Sequence, residues 1–447
     1  MNPTVVTQAR ALATGEVTAG ALVAEALERI RRTNERWHVF TAVSDGPALE
    51  AARQSDLRRR EGRAIGPLDG VPVAVKDNLD VAGMSTFAGT GHDFGAAARD
   101  ATVVSRLRAA GAVIVGKLNM HEGALGATTD NTVWGRCENP RVPGCTPGGS
   151  SGGSGAAVAG GLVAATLGTD TMGSVRIPAA YCGVWGLKPT FGLIGTAGLR
   201  YLSWTLDTIG PLAGSAEDLS LVVEVLAGHD PDDPRSVPAP AGWSARIAPG
   251  RSLEGRVVGY PDARALSRCE DAQLLAFDQT LKRAEAAGAT LRPVVIEGWQ
   301  PAQARRWGLL VCEAQAGSLL ATDMERDPEG FSAPFRKLLE FGRKAPAERL
   351  ARALWQIDEV RHGFSRAMAG LDALLMPTTP QRAFPHGMEA PANQADFTAL
   401  ANMAGAPAVA FPIDPADGGA PASMQLVGRP FSEGRLLGMA KALAGQD

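Results

Sequence analysis

The sequence predicts an α/β protein built around one large core. A short buried strand, a helix and a second strand follow one another between residues 71 and 115, amphipathic helical segments occupy much of the chain after residue 270, and short apolar runs return near residues 374 and 406. An alternation of strands and helices on this scale is typical of α/β folds. Because sheet-like runs stand on both sides of a polar connection at residues 229–250, we expect one domain and not two.

The composition is that of a globular protein. Of the 447 residues, 45% are hydrophobic and 20% are charged, and 44 basic against 47 acidic side chains give a net charge of -3. A balanced charge of this kind favours no nucleic-acid partner. The N-terminal MNPTVVTQAR lacks the apolar segment of a secretory signal, and no apolar run approaches the length of a membrane span. We therefore expect a cytoplasmic protein with no membrane partner.

The cysteines and histidines predict neither disulfides nor a metal. Five cysteines occur without a Cys-x-x-Cys pair: Cys137, Cys145, Cys182, Cys269 and Cys312. An odd number without metal-ligand spacing indicates reduced thiols. The six histidines also show no HExxH or similar spacing, so no metal and no other cofactor is expected.

The N-terminal part of the chain begins with a helix. Thr18 is a suitable cap, and four apolar residues behind it fall on one helical face: Leu22, Val23, Leu27 and Ile30. Val71–Val75 is a short apolar run that we assign to a buried strand, and this strand ends at Lys76. A helix over Val103–Leu107 and a strand over Ala112–Val115 complete a strand–helix–strand unit.

The middle of the chain contains a small-residue segment and then a polar connection. Small apolar residues dominate Ala156–Leu167, which predicts a tightly packed internal helix. The segment HDPDDPRSVPAPAG, which begins at His229, is rich in proline and aspartate. Such a segment cannot continue a helix or a strand, so we expect a surface connection.

The C-terminal half is predicted to be mainly helical. Leu274, Phe277, Leu281 and Ala284 share one helical face, and the segments Trp307–Ala321 and Ala347–Ala369 are also amphipathic. Two apolar runs interrupted by proline, Leu374–Pro380 and Ala406–Pro412, suit sheet edges or strand ends, because proline cannot donate a ladder hydrogen bond.

The stretch TPGGSSGGSGAAVAGG, residues 146–161, admits three interpretations. Gly/Ser tracts are often flexible linkers, but this one runs directly into an apolar segment between two parts of the core, where a hinge would divide the core. A phosphate loop requires GxxxxGK[ST], and no lysine follows these glycines. The remaining interpretation is a loop that carries a catalytic serine.

Two kinds of serine chemistry compete for this loop. The GxSxG elbow of α/β-hydrolases must follow a buried strand, whereas RVPGCTP with its two prolines precedes it here, and His229 and His386 lie in proline-rich surroundings. A serine can instead give its proton to a neutral lysine. Lys76 is the candidate because burial at a strand end lowers the pKa of a lysine. The alternative for Lys76 is an ordinary solvated lysine.

Three segments then match a known family. GVPVAVKDNLDVAGMSTFAGT, TPGGSSGGSGAAVAGG and GTDTMGSVRIPAAYCGVWGLKPTFG resemble the amidase signature family, in that order, and LSWTLDTIGPLAGS continues the match. The resemblance covers about residues 15–225 well and the remainder loosely. It implies a large central mixed β-sheet flanked by α-helices on both faces. It also implies one domain over residues 1–447, with a catalytic core at about 60–225 and a pocket-forming helical region at about 265–400.

The resemblance implies a Ser-Ser-Lys triad. Lys76 matches the family's base, Ser150 its bridging serine, which has a cis peptide in the family, and Ser174 its nucleophile. Further residues are implied in supporting roles. The oxyanion hole corresponds to Thr171, Met172, Gly173 and Ser174, the substrate-binding segment to Ala124, Leu125 and Gly126 with Met172, and the supporting residues to Asp170, Arg176 and Ser151.

The resemblance implies an amidohydrolase that cleaves the C–N bond of a small or medium apolar amide, anilide or carbamate, as urethanases and aryl acylamidases do. The alternative is an amidotransferase A-type subunit that releases ammonia from glutamine for a partner enzyme. Ile177 stands where such subunits typically have Gln, which favours the first function, and a binding protein on an inactive fold is the least favoured. We therefore expect a small-molecule substrate, no nucleic acid, no membrane, and a monomer or homodimer. Five aromatic residues are candidates for the pocket lining: Trp299, Trp307, Phe331, Phe335 and Trp355.

Overall fold

The structure is a computed structural model that describes residues 4–248, 250, 252–414 and 419–445. Residues of the expected 1–447 domain at both ends and in three internal places lie outside these ranges. Within the described ranges, none of the helices combines the length and the apolar character that a membrane span requires.

The elements before the connection at residue 229 alternate between the two kinds of secondary structure. The helices are α1 (Val5–Thr14), α2 (Ala19–Trp37), α3 (Asp45–Arg60), α4 (Thr102–Ala109), α5 (Gly152–Ala159), α6 (Arg176–Cys182) and α7 (Ala216–Leu226), with a 3-10 turn at Glu122–Ala124. The strands are β1 (Phe40–Val43), β2 (Pro72–Lys76), β3 (Val113–Leu118), β4 (Asp130–Asn131), β5 (Gly135–Arg136), β6 (Ala165–Asp170), β7 (Trp185–Lys188) and β8 (Thr208–Ala213).

The elements after the connection are mainly helical. The helices are α8 (Ala263–Leu266), α9 (Asp271–Ala286), α10 (Pro301–Leu319), α11 (Ala321–Arg326), α12 (Ala333–Arg343), α13 (Ala347–Ala367), α14 (Ala399–Met403) and α15 (Glu433–Ala444), with a 3-10 turn at Pro328–Gly330. The strands are β9 (Val257–Pro261), β10 (Thr290–Val294), β11 (Ala373–Pro377), β12 (Ala408–Ile413) and β13 (Ala422–Val427).

A single mixed sheet joins both parts of the chain. Its eleven strands in the described ranges run in the order β1-β3-β2-β6-β8-β7-β12-β13-β11-β9-β10, and helices flank it. β2 pairs in parallel with β3 and β6, whereas β6–β8 and β7–β12 are antiparallel. The predicted mixed α/β fold is therefore confirmed. The pairing of β7 with β12 connects strands from the two sides of the 229–250 connection, which contains no helix or strand among its described residues.

Several local predictions are confirmed. The Thr18 hydroxyl caps α2 by accepting the Ala21 amide at 3.1 Å, and β2, α4 and β3 form the predicted strand–helix–strand unit with parallel strands. Both β2 and β3 are buried along their whole length. α9, α10 and α13 correspond to the three predicted amphipathic segments, although α10 ends at Leu319 and α13 at Ala367, each two residues before the predicted end.

The helix predicted over Ala156–Leu167 is wrong in its bounds. α5 begins earlier and ends at Ala159, Gly161 takes a positive φ of 66°, and β6 begins at Ala165. Both α5 and β6 are buried on all sides. A segment that is buried throughout has no polar face, so its periodicity cannot distinguish a helix from a strand.

The two proline-containing runs were expected at sheet edges or strand ends; neither lies at an edge, and Pro377 is at a strand end. β11 lies between β13 and β9, and β12 lies between β7 and β13. Pro377 is the last residue of β11, and Pro412 lies beyond Ala410, where the pairing of β12 with β7 ends. At each of these two positions one side of the strand needs no backbone N–H donor, so proline, which lacks this group, fits there.

Candidate active site

Lys76 lies at the carboxyl end of β2 and is fully buried. Its Nζ donates hydrogen bonds to Ser150 Oγ and to Thr169 Oγ1, both at 2.7 Å. Burial lowers the pKa of Lys76 to about 7, and the charges of Asp207 and Asp170 only partly oppose this effect. A large fraction of Lys76 is therefore neutral at neutral pH and can accept a proton.

The Gly/Ser loop is held by hydrogen bonds on both sides of Ser150. The Gly149–Ser150 peptide bond is cis, and Ser150 is fully buried. The Thr129 hydroxyl donates to the Gly148 carbonyl at 2.8 Å and accepts the Gly152 amide at 3.1 Å. A segment fixed in this way is not a flexible linker.

The other serines of the loop attach it to β6. The Ser151 hydroxyl donates to the Thr169 carbonyl at 3.1 Å, and the Ser154 hydroxyl donates to the Leu167 carbonyl at 3.2 Å. The Ser151 amide donates to the Ser174 carbonyl at 3.2 Å, which places the loop against the segment that follows β6. A Cβ atom at Gly153 would lie 2.4 Å from the Asn119 carbonyl oxygen, so this position accepts only glycine.

Ser174 lies between β6 and α6, beside the cavity described below. Its hydroxyl makes no hydrogen bond with any residue in the described ranges, and the residue is 9% exposed. β2 and β6 are adjacent and parallel, so their carboxyl ends bring Lys76 and the Ser174 segment together. The hydroxyl of Ser174 is therefore free to react with a molecule in the cavity.

Three of the four amides expected to form an oxyanion hole are available. The amides of Thr171, Met172 and Ser174 donate to no described residue, whereas the Gly173 amide donates to Asp170 Oδ1 at 2.7 Å. The structure thus removes the Gly173 amide from the expected set. Position 173 accepts only glycine, since its φ is +130° and a Cβ atom there would lie 2.2 Å from Thr398 Oγ1.

Asp170 and Arg176 form a buried ion pair that stabilises the Ser174 segment. Arg176 donates to both carboxylate oxygens of Asp170 at 2.9 and 3.0 Å, and also to Gln425 on β13 and Asn402 on α14. Burial by itself would raise the pKa of Asp170, but the charges of Arg176 and Lys188 and the hydrogen bonds lower it to about 2. The pair connects the segment to the distant half of the sheet.

Sequence reasoning gave no role to Asp207, although it lies within the matching LSWTLDTIGPLAGS. Thr171 Oγ1 donates to Asp207 Oδ1 at 2.6 Å, and the amides of Leu202 and Ser203 donate to Oδ2 at 2.9 and 3.1 Å. Burial raises the pKa of Asp207 to about 6, against the effect of these hydrogen bonds. Thr169, Asn402 and Gln425 were also missed, because no local pattern distinguishes them from other polar residues near strands and helices.

A cavity of about 240 Å³ opens beside Ser174. The expected Ala124, Leu125, Gly126 and Met172 line it, together with Ala127, Thr171, Ile177, Leu202, Arg305, Leu309, Cys312, Ala390, Pro391, Ala392, Gln394 and Ala395. Most of this lining is apolar. Arg305 is the one charged side chain in it, and its Nε donates to Asp396 Oδ1 at 2.7 Å.

The aromatic residues expected in the lining do not border the cavity. Trp355 is 63% exposed on α13, and Trp299 packs near Phe397. Phe331 and Phe335 stack on each other in an apolar cluster that also contains lining residues of the cavity. Trp307 packs against the main core. Aromatic residues at helical spacing pack in a core more often than they line a cavity, and the spacing does not distinguish the two cases. Within the described ranges, no group of three or more His, Cys, Asp or Glu could hold a metal ion.

Comparisons with known proteins agree over nearly the whole chain. A family model described as Amidase matches residues 21–437. The A-type subunit of the glutamyl-tRNA(Gln) amidotransferase from Chloroflexus aggregans is 36% identical over 454 residues, which cover 96% of this chain and 93% of that protein. The corresponding A-type subunit from Anaeromyxobacter sp. strain K is 38% identical over 466 residues, with 96% and 92% covered.

A solved structure is similar over the same extent. It belongs to work on "an unexpected vestigial protein complex" that reveals the origins of "an s-triazine catabolic enzyme", with 33% identity, a TM-score of 0.90, and 99% and 98% of the two chains covered.

These relatives correct the expected partners. We expected an enzyme that acts by itself, as a monomer or homodimer, on a small molecule. The relatives at 36–38% identity are by name single subunits of an amidotransferase, and they match along almost their full length. The expectation of an enzyme without partner proteins is therefore wrong. Composition could not have revealed this, because a balanced net charge does not report on protein interfaces.

Proposed function

The chain belongs to the amidase signature family and is a serine enzyme that acts on amide C–N bonds, and we propose that it releases ammonia from a primary amide, glutamine first, as the A-type subunit of an amidotransferase. The observation that carries the chemistry is the buried hydrogen bond from Lys76 to Ser150 beside the free hydroxyl of Ser174. The observation that favours the subunit role is the similarity to these A-type subunits along the whole chain.

In the proposed first step, Ser174 Oγ attacks the amide carbonyl carbon. Its proton passes to Ser150 Oγ while the Ser150 proton passes to neutral Lys76, so no charged serine accumulates. The carbonyl oxygen becomes an oxyanion beside the free amides of Thr171, Met172 and Ser174. Each such donor contributes about 3 kcal/mol to stabilisation of the transition state.

In the second step the C–N bond breaks. Nitrogen leaves poorly as an anion, so Ser150 donates a proton to it and regains one from the Lys76 ammonium. Ammonia departs and the acyl group remains on Ser174 as an ester. Water then attacks this ester with the same Lys76–Ser150 pair as base, which releases the carboxylic acid and restores the Ser174 hydroxyl.

The lining of the cavity supports a substrate that carries a carboxylate far from its amide. Arg305 uses only its Nε for Asp396, so both Nη groups remain without an acceptor in the described ranges. A guanidinium with two free parallel donors matches a carboxylate well. Glutamine carries such a carboxylate at the end opposite its amide.

The test of this function uses the companion subunits of the Chloroflexus aurantiacus amidotransferase, whose A-type subunit is 36% identical to this chain as well. This chain replaces its counterpart in that complex, and glutamine-dependent conversion of Glu-tRNA(Gln) is measured beside ammonia release. We expect activity with the wild-type chain and none with S174A. Ammonia release from glutamine that is the same with and without the companion subunits would contradict the subunit role.

A second candidate is hydrolysis of an apolar amide, anilide or carbamate. The apolar side chains of Met172 and Ile177 beside Ser174 favour it, because a hydrophobic wall selects hydrophobic acyl groups. A panel of apolar 4-nitroanilides and carbamates, compared with glutamine, distinguishes the two. A kcat/KM for an apolar member far above that for glutamine, and abolished in S174A, would establish the second function in place of the first.

A further inference from the structure

A buried carboxylate lies behind the reacting groups without a part in the chemistry described above. Asp207 is 4% exposed and immediately precedes β8. It accepts three hydrogen bonds, from the Thr171 hydroxyl and from the amides of Leu202 and Ser203. Thr171 provides one of the free backbone amides near Ser174, and Leu202 lines the cavity.

We propose that Asp207 is a positioning residue for amide cleavage: its carboxylate fixes the oxyanion segment and the cavity wall in one arrangement, and its charge acts on Lys76. The inference rests on the roles proposed for Lys76 and Ser174. It does not depend on which amide is the substrate.

The hydrogen bonds around Asp207 extend to a third side of the cavity. The Ser203 hydroxyl donates to Gln315 Oε1 at 2.6 Å, and Gln315 Nε2 donates to the Thr205 hydroxyl at 2.6 Å. Gln315 is on α10, one turn beyond Cys312, which lines the cavity. A displacement of Asp207 would therefore loosen the Ser174 segment, the loop at residues 202–205 and α10 together.

The charge of Asp207 has a direct target. Asp207 forms no ion pair with a described residue. Burial lowers the pKa of Lys76, and the charge of Asp207 opposes this effect more strongly than the charge of Asp170 does. The other titratable groups that interact with this pair are His121, Tyr201 and Cys312. Removing the charge of Asp207 should therefore lower the pKa of Lys76 further.

Two substitutions separate the charge from the hydrogen bond. In D207N the side-chain oxygen can still accept the two backbone amides, and the side-chain NH2 group can donate to the Thr171 hydroxyl. All three hydrogen bonds are therefore kept while the charge is lost. T171V removes the hydroxyl and keeps the Asp207 carboxyl group, and T171S restores the hydroxyl. D218N is the matched control, because burial also raises the pKa of Asp218 to about 6 while its carboxylate binds the Val6 amide of α1.

The measurement is the rate at which a fluorophosphonate labels Ser174, recorded against pH. We expect D207N to shift the acidic limb of this rate to lower pH by about one unit, and D218N to leave the limb in place. On the plateau above the limb, T171V should lower the rate about 10-fold, since a misplaced segment slows the reaction even when Lys76 is neutral. T171S should recover most of that loss.

An acidic limb in D207N that coincides with the wild-type limb, or a T171V rate equal to the wild-type rate, would overturn the inference. Should D207N fail to fold, the comparison of T171V with T171S still decides the positioning role. Wild-type chain that is labelled but does not hydrolyse glutamine would contradict the proposed substrate only. Wild-type chain that is not labelled at Ser174 would overturn the proposed nucleophile and this inference with it.

Discussion

Lys76 Nζ lies 2.7 Å from Ser150 Oγ, and neither residue reaches solvent. The pair joins the end of β2 to a loop that lies 74 residues later in the chain. Because its partners are hydroxyl groups and no described carboxylate forms an ion pair with it, Lys76 can lose its proton near neutral pH.

The pH dependence of the reaction should follow Lys76. Since burial lowers the pKa of Lys76 to about 7, kcat/KM should rise as the pH increases through about 7 and fall below it, where the protonated amine can accept no proton. K188M is the matched control, because burial lowers the pKa of Lys188 to about 7 as well, while its Nζ donates to the Pro189 carbonyl. The rise of kcat/KM through about pH 7 should persist in K188M, and its loss in that variant would exclude Lys76 as its origin.

Serine substitutions should separate three functions within a short stretch. S174A should lower kcat by at least about 10³-fold, because the nucleophile is lost, and S150A by about 10²-fold or more, because the proton bridge is lost. Both variants should keep the circular dichroism spectrum of the wild type. S154A is the control, since the Ser154 hydroxyl bonds the Leu167 carbonyl, and full activity in S150A would contradict the proposed bridge.

Arg305 should raise kcat/KM for amides that carry a carboxylate over amides that do not. The double variant R305M/D396N removes the ion pair as a unit, so that no charge is left buried without a partner. We expect kcat/KM to fall about 10- to 100-fold for the monoamide of glutarate and to change little for pentanamide, which has the same chain length without the acid. Equal losses for both substrates would show that Arg305 does not bind the carboxylate.

The Asp170–Arg176 pair should contribute to stability more than to chemistry. R176M leaves the Asp170 carboxylate buried without its ion-pair partner, which should lower the free energy of unfolding by about 3–5 kcal/mol. D170N/R176M should cost less, because it leaves no buried charge. Urea unfolding monitored by tryptophan fluorescence measures both, and a double variant less stable than R176M would contradict this account.

The same pair predicts how stability changes in acid. The pKa of Asp170 is lowered to about 2 in the folded chain, so the unfolded chain takes up a proton first as the pH falls. The contribution of Asp170 to stability is therefore fully present above the ordinary pKa of an aspartate, near 4, and is lost between about pH 4 and 2. In D170N/R176M the unfolding free energy should fall less steeply over this range.

Prediction from sequence succeeded where the signal is local. The cap at Thr18, the buried strand before Lys76 and the amphipathic helix α9 follow from patterns within a few turns, and the structure contains all three. Prediction failed at residues 156–167 and for the aromatic lining, because burial on all sides removes the periodicity, and helical aromatics look alike whether they face a core or a cavity.

The sequence by itself determined the family and the mixed α/β fold, because three ordered motifs and the alternation of strands and helices are properties of short segments. Only the tertiary structure decided that Lys76 is buried, that the Gly173 amide is already bonded, and that Arg305 on α10 faces the cavity. The charge of a lysine and the availability of an amide depend on what surrounds them. Those surroundings come from strands and helices far apart in the chain, and packing alone brings them together.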